Sequence, residues 1–171
     1  MMVRDLLDTN ANPFYRRAER QLFIARRNGR AVGRVAAIEN RAHNTFHADR
    51  VGFFGFFECT DDPGVARALL AAASEWLRDR GLETMRGPMN PSTNHDCGVL
   101  IDGFDEHPVF LTPWNPPYYD AVLRDSGMKA AKDLLGYCLP YGEAGYEIPA
   151  RLDALARRAA AKAGLVFRDL E

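Results

Sequence analysis

The stretch from Val51 to Arg86 most constrains what this chain can fold into. It opens on the apolar run VGFFGFFEC, passes through the turn TDDPGVA, continues as RALLAAASEWLRDRG and closes on LETMR. An apolar run without alternation reads as a strand buried on both faces. Val65, Leu69, Ala72, Ala73, Trp76 and Leu77 then recur at helical spacing and form one stripe. Asp62 suits the N-cap of that helix and Pro63 its first position. Strand, helix, strand in this order is a crossover, so 82–86 is expected to run parallel to 51–59.

Upstream, QLFIARR and RAVGRVAAIENR flank Asn28-Gly29. That dipeptide accepts positive φ at both turn positions, which predicts a hairpin with strands near 21–27 and 30–39. The polar segment from His43 to Arg50 reads as a loop into the buried strand, giving an antiparallel meander of three strands. The fold expected is α/β, a mixed sheet with this meander and one parallel strand pair, flanked by helices.

With 47% hydrophobic and 26% charged residues, the 171-residue chain has the make-up of an ordinary globular domain that needs no metal or disulfide for a core. Its 22 basic and 23 acidic side chains leave a net charge of −1, and no global field for attracting nucleic acid. Cys59, Cys97 and Cys138 are odd in number and widely spaced, as suits reduced core thiols. No segment has the length and apolarity of a membrane span or the pattern of a signal peptide, so the expectation is a cytoplasmic protein with no membrane partner.

After the crossover, GPMNPSTNHDCGVLIDGF is a long run of turn formers and small polar residues. PVFLTPW at 108–114 reads as a strand. Asn115-Pro116-Pro117 then opens a helix to about Ser126, with Gly127 as its C-cap. Lys132 to Leu139 reads as the last strand, and 148–163 as an amphipathic helix with Leu152, Leu155, Ala156 and Ala159 inward.

This order of elements resembles the GNAT acyl-CoA N-acyltransferase fold, and MRGPMNPSTN with NPPYY looks like an uncharacterised branch carrying two such domains in one longer chain. The resemblance covers roughly residues 12–140. It implies a GNAT-like domain over 1–140 without the family's first strand and helix, then a linker helix and the start of a possible further domain over 141–171. The activity implied is acyl transfer from acyl-CoA or acetyl-CoA to the amine of a small molecule. The alternative is a catalytically silent half domain, a structural or substrate-contact module packed on a second GNAT-like domain or in a homodimer.

The family's cofactor signature aligns with Asp61-Asp62-Pro63-Gly64-Val65-Ala66. The resemblance thus places Cys59, Gly64, Val65, Ala66 and Arg67 around the cofactor, with Gly64 and Ala66 matching the pattern. The first position departs from it. Pro63 removes an amide donor, Asp62 as N-cap takes the amide of Gly64 or Val65, and Asp61 repels a pyrophosphate. Two unit charges about 4 Å apart at an effective dielectric of about 20 repel by about 4 kcal/mol. Arg67, one turn into the helix, is the nearby cation that offers compensation.

For the chemistry, the resemblance makes Glu58 the candidate base, against the plainer reading of a strand-end carboxylate in water. The family's acid is a Tyr late in the following helix. Here Val122 and Leu123 stand there, and Tyr118 and Tyr119 lie nearer the helix start as substitutes, or as one packed and one solvated ring. Asn90, Ser92, Asn94, His95, Asp96 and Asn115 are the candidate substrate contacts. The polar loop equally suits bonding to its own backbone in Asx and Ser/Thr turns.

Other motifs carry less. His95 and Cys97, two apart with no orienting third group, do not make a nucleophile. His43 and His47 lack the Glu of a zinc-hydrolase motif and fall on the polar loop, so no metal is expected. Arg157, Arg158 and Lys162 read as the solvated side of a helix.

Overall fold

A computed structural model describes residues 3–137 and 148–166. They belong to two compact units, Met1–Leu134 and Leu135–Glu171. The first holds a four-stranded sheet in the order β1-β2-β3-β4, formed by Ala18–Arg27, Arg30–Asn40, Val51–Cys59 and Thr84–Arg86. The first three strands are antiparallel neighbours and β4 runs parallel to β3. The mixed sheet expected from the sequence is therefore the one observed. Asn28 and Gly29 turn the hairpin with φ of 51° and 80°.

Helix α1, Val3–Leu7, precedes the sheet, and α2, Arg41–His47, corrects the expected loop. The missed signal is Asn40, whose side chain accepts the His43 amide at 3.1 Å as an N-cap, while Ala48 ends the helix in left-handed geometry. His43 and His47 consequently share a helix face, with ring centroids 4.3 Å apart. His43 also approaches Asp49 at 3.4 Å. Among the described residues no three His, Cys, Asp or Glu side chains converge as metal ligands do.

Helix α3, Pro63–Arg78, buries Val65, Ala66, Leu69, Leu70, Ala73 and Leu77 against one face of the sheet. Trp76 sits at the rim of this layer under the Arg80 guanidinium, 3.6 Å from the ring centroid. The opposite face is covered by Leu6, Leu7, Phe14 and Met89. β3 lies between these layers, and Val51 through Phe57 are all buried, as the unbroken apolar run predicts.

β3 carries a bulge. Arg34 pairs with Glu58 and Ala36 with Gly55, so Phe56 and Phe57 together oppose Val35. Phe56 has φ of 50°, a conformation a bulky side chain rarely takes. Its amide donates to Asn90 Oδ1 at 2.6 Å, which fixes the distortion.

Three expectations from the second half of the chain need correction. The segment 108–114 forms no strand: Pro108 and Pro113 lack amide donors, and Leu111 turns back with φ of 63° as the Thr112 amide bonds Val109 O at 3.1 Å. Helix α4 covers Tyr119–Asp125 rather than starting at 115, because Asn115 is used as a clamp on Leu100. Gly127, at φ of 89°, ends it as expected. Residues 132–137 are not strand either, and 138–139 lie outside the described residues. The edge of β3 at Cys59 is held by tyrosine hydroxyls, which leaves no backbone ladder there for another strand.

In the second unit, α5 covers Ala150–Ala163 and ends on left-handed Gly164. Its apolar stripe was expected to face inward. Instead Leu152 and Leu155 are exposed, as are Ala156 and Ala159.

Candidate functional site around the end of β3

The bulge determines which side chains emerge where β3 ends. Beyond it, Phe57 and Cys59 join the core under α3, and Glu58 falls on the other face of the strand beside its partner Arg34, with Arg34 Nη2 3.7 Å from Glu58 Oε1. Both groups are about half exposed, so the pair contributes little by itself.

Helix α4 brings the two tyrosines to the same strand end. Tyr119, buried at 5% exposure, donates its hydroxyl proton to Glu58 Oε2 at 2.8 Å and accepts the Cys59 amide at 3.3 Å. Tyr118 donates to the Cys59 carbonyl at 2.8 Å. Two phenols thus satisfy the backbone groups of Cys59, in the place where a neighbouring strand would otherwise bond. The reading of one packed and one solvated ring gives way: Tyr119 is packed, Tyr118 is half-buried, and both hydroxyls are engaged.

The electrostatics follow from burial and from the acidic turn. Desolvation raises the Tyr119 hydroxyl well above its ordinary value, and the bond to Glu58 adds to this, since ionisation would set two anions side by side. Tyr118 is raised as well, first by burial and then by the negative groups at Cys59, Asp61 and Glu58. The Cys59 thiol is pushed up to about 11, by burial first and by Glu58, Asp61 and Asp62 after it. Both phenols therefore stay protonated, and the thiol is not a nucleophile at neutral pH.

The turn that follows is closed by its own cap. Asp62 Oδ1 accepts the amides of Gly64 at 2.8 Å and Val65 at 3.3 Å. Its other oxygen meets Arg27 Nη2 at 2.7 Å. The Arg27 bond is the main reason the Asp62 carboxyl lies below the usual range, ahead of the two amides. Arg67 was the expected compensating cation, and this is corrected: the partner is Arg27, from the far end of β1, while Arg67 is exposed and forms no ion pair among the described residues. No local signal in the sequence joins positions 35 residues apart.

The polar loop is bonded largely to itself. Asn90 N donates to Asp96 O at 3.0 Å and His95 N to Ser92 O at 3.1 Å. Ser92 Oγ lies 2.9 Å from His95 Nδ1 and accepts the Asn94 amide at 3.2 Å. The Asn90 side chain is committed to the bulge at Phe56. Asn115 is buried, accepts the Leu100 amide at 2.7 Å and donates to the carbonyls of Leu100 and Pro116. Of the candidate contacts, Glu58, Cys59, Tyr118 and Tyr119 come together, next to Gly64, Val65 and Ala66 at the start of α3. Ser92, with Thr93, instead borders a cavity of about 20 Å³ beside His43, Phe53 and Met89.

Asn90 and Arg34 are the members of this site that sequence reasoning undervalued or missed. The Asn90 side chain holds the bulge, and Arg34 lies opposite Glu58 only once the bulge sets the register.

Two curated proteins are similar to this chain. A bacterial ceramide synthase from Caulobacter vibrioides is 40% identical over 134 residues, which is 78% of this chain and 35% of that protein. Protein YghO from Escherichia coli is 34% identical over 117 residues, 68% of this chain and 30% of that protein. The matched region therefore spans about a third of the length of these relatives. No family model matches the chain, and no solved structure matches it.

Proposed function

We propose that this chain is part of an N-acyltransferase, of GNAT-like fold, that moves an acyl group from a thioester such as acyl-CoA onto the amine of a long-chain amino alcohol. The observation that carries the reading is the Glu58 carboxylate at the end of β3, one oxygen fixed by the Tyr119 hydroxyl at 2.8 Å and the side chain still half exposed. A base in this position is oriented yet reachable, as removal of a proton from an attacking amine requires. Similarity to a ceramide synthase supports the substrate class, since a ceramide is a long-chain amino alcohol acylated on nitrogen.

In the proposed reaction the amine nitrogen attacks the thioester carbonyl, the C–N bond forms and the C–S bond breaks. Glu58 takes the proton released by the amine. Tyr119 holds the carboxylate in place and keeps its own proton, because its ionisation is suppressed. Tyr118 sits beside it with its hydroxyl donating to the Cys59 carbonyl, a bond it must release to protonate the departing thiolate. The test is to incubate the protein with palmitoyl-CoA and sphinganine and to follow the amide by mass spectrometry. Glu58→Gln, which keeps an acceptor for Tyr119, should lower the rate by about 10²-fold or more. An unchanged rate would remove Glu58 from the mechanism.

A second reading is favoured by one observation, the Asp62 carboxylate on the Gly64 and Val65 amides. A CoA pyrophosphate finds those donors already taken and meets negative charge there. In this reading the chain is a silent half that contacts the acceptor, while another acyltransferase-like domain holds the thioester. Calorimetry with acetyl-CoA separates the two: binding by the unaltered protein supports the active reading, and binding only by an Asp61→Arg, Asp62→Gly variant supports the silent one.

A further inference from the structure

Attack of an amine on a thioester drives negative charge onto the carbonyl oxygen, and a donor aimed at that oxygen lowers the barrier more than most other devices. The backbone amides of Phe56, Cys59, Thr60, Gly64 and Val65, around the end of β3, are all engaged. That of Phe56 donates to Asn90, that of Cys59 to Tyr119, that of Thr60 to the Val32 carbonyl, and those of Gly64 and Val65 to Asp62. Both tyrosine hydroxyls also have acceptors of their own.

Arg34 differs. Among the described residues its guanidinium makes one polar contact, Nη2 to Glu58 Oε1 at 3.7 Å, which is too long for a hydrogen bond. Its backbone is fixed in the middle of the sheet, paired with Ile24 of β1 on one side and Glu58 of β3 on the other. The side chain is 45% exposed. A fork of five N–H donors thus stands beside the candidate base with its hydrogen-bonding capacity unused.

The geometry points to Arg34 as a catalytic residue that holds the thioester carbonyl oxygen during transfer, an inference that rests on Glu58 acting as the base. The attacking nitrogen and the carbonyl oxygen become bonded to the same carbon, so base and oxyanion donor must stand side by side. A donor lies about 2.7–3.1 Å from the oxyanion it stabilises, and a base reaches its proton over about 2.6–3.2 Å. Glu58 Oε1 and Arg34 Nη2 are close enough to serve two such neighbouring atoms, yet too far apart to satisfy each other. Tyr119 occupies the other carboxylate oxygen, so the one left for the amine is the one facing Arg34.

The nitrogen lone pair forms the C–N bond, the carbonyl π electrons move onto oxygen beside the guanidinium, and Glu58 takes the proton from nitrogen. The C–S bond breaks as the carbonyl re-forms, and the proton acquired by the thiolate balances the one lost by the amine. Arg34 keeps its protons throughout.

The test follows amide formation from palmitoyl-CoA and sphinganine by wild type, Glu58→Gln, Arg34→Ala and Arg34→Lys as a function of pH, with folding verified by circular dichroism. Arg34→Ala should lower kcat by about 10²–10³-fold and change KM much less. Arg34→Lys keeps the charge without the fork and should recover part of the loss. Guanidinium added well below denaturing concentrations should restore part of the Arg34→Ala rate. A guanidinium acting only on the ionisation of Glu58 would instead move the acid limb of the profile, whereas an oxyanion donor lowers the plateau at every pH. An Arg34→Ala rate equal to wild type, or fully regained at higher pH, overturns the inference; if Glu58→Gln is impaired in the same assay, the reading of Glu58 as base survives. No amide from wild type, or Glu58→Gln as fast as wild type, removes the base, and the role of Arg34 falls with it.

Discussion

The Tyr119 hydroxyl bridges Glu58 and the backbone of the next residue: it donates to the carboxylate at 2.8 Å and accepts the Cys59 amide at 3.3 Å. One phenol thereby ties α4 to the end of β3 and aims the candidate base.

Tyr119→Phe keeps the ring in the core and removes both bonds, leaving the buried Cys59 amide without an acceptor. An unpaired buried donor costs about 1–3 kcal/mol. Urea denaturation should show a loss of this size. Tyr118→Phe removes only a bond to a carbonyl and should cost about 0.5–1.5 kcal/mol. Equal losses in the two variants would mean that the Cys59 amide finds another partner.

Asp62 makes stability depend on acid in a definite direction. Its folded-state pKa lies below the ordinary 3.8, so its contribution is complete above that value and is lost as pH falls through the lower, folded one. Wild type should melt above Asp62→Ala near neutral pH, and the gap should close as pH drops below 3.8. Arg27→Ala should shrink the gap at neutral pH, because the guanidinium is the largest cause of the shift. A gap independent of acid would contradict the assignment.

Cys59 should resist alkylation although it sits among candidate site residues. A thiol at about 11 is ionised to about one part in a thousand at pH 8, and burial slows attack further. Cys97 is half-buried and should react first, at least tenfold faster by peptide mass spectrometry after iodoacetamide. Labelling of Cys59 at the same rate would mean that the strand end opens in solution.

Among the described glycines, Gly55 has the least room for a side chain. A Cβ there would lie 1.7 Å from the Met89 carbonyl oxygen, so Gly55→Ala cannot be accommodated without moving the 87–90 segment off β3. The expected loss is about 1–3 kcal/mol or more, with faster proteolysis of the polar loop. Gly29→Ala meets no atom within 4 Å and serves as the comparison, its strain being only that of φ at 80°. Equal losses in the two would show that the segment is loosely seated.

What the sequence makes legible is local. Asn28-Gly29, the unbroken run from Val51, the Asp62-Pro63 cap and the stripe from Val65 to Leu77 each carry their own signal within a few residues, and each element formed as read. The failures share a cause. PVFLTPW looks like a strand because it is apolar, but a strand also needs a neighbour, and two prolines and the tyrosines at Cys59 deny it one. The candidate site divides the same way. Glu58 and the two tyrosines were each visible as chemistry; that they meet, and that Arg27 rather than Arg67 faces Asp62, depends on contacts between distant positions that no local pattern records.

The bulge at Phe56 acts as a parity switch. Val51 and Phe53 pack on one face of the sheet, yet Phe57 and Cys59, also odd-numbered, pack on the other. A strand that kept all of these residues but alternated regularly from Val51 to Cys59, with no bulge, would put every odd-numbered side chain on one face and every even-numbered one on the other. The Glu58 carboxylate would then be driven beneath α3 into the core, and the Cys59 thiol turned to the opposite face. The chemistry proposed for this protein thus rests on a single extra residue in one strand, held in an unfavourable conformation by the side chain of Asn90.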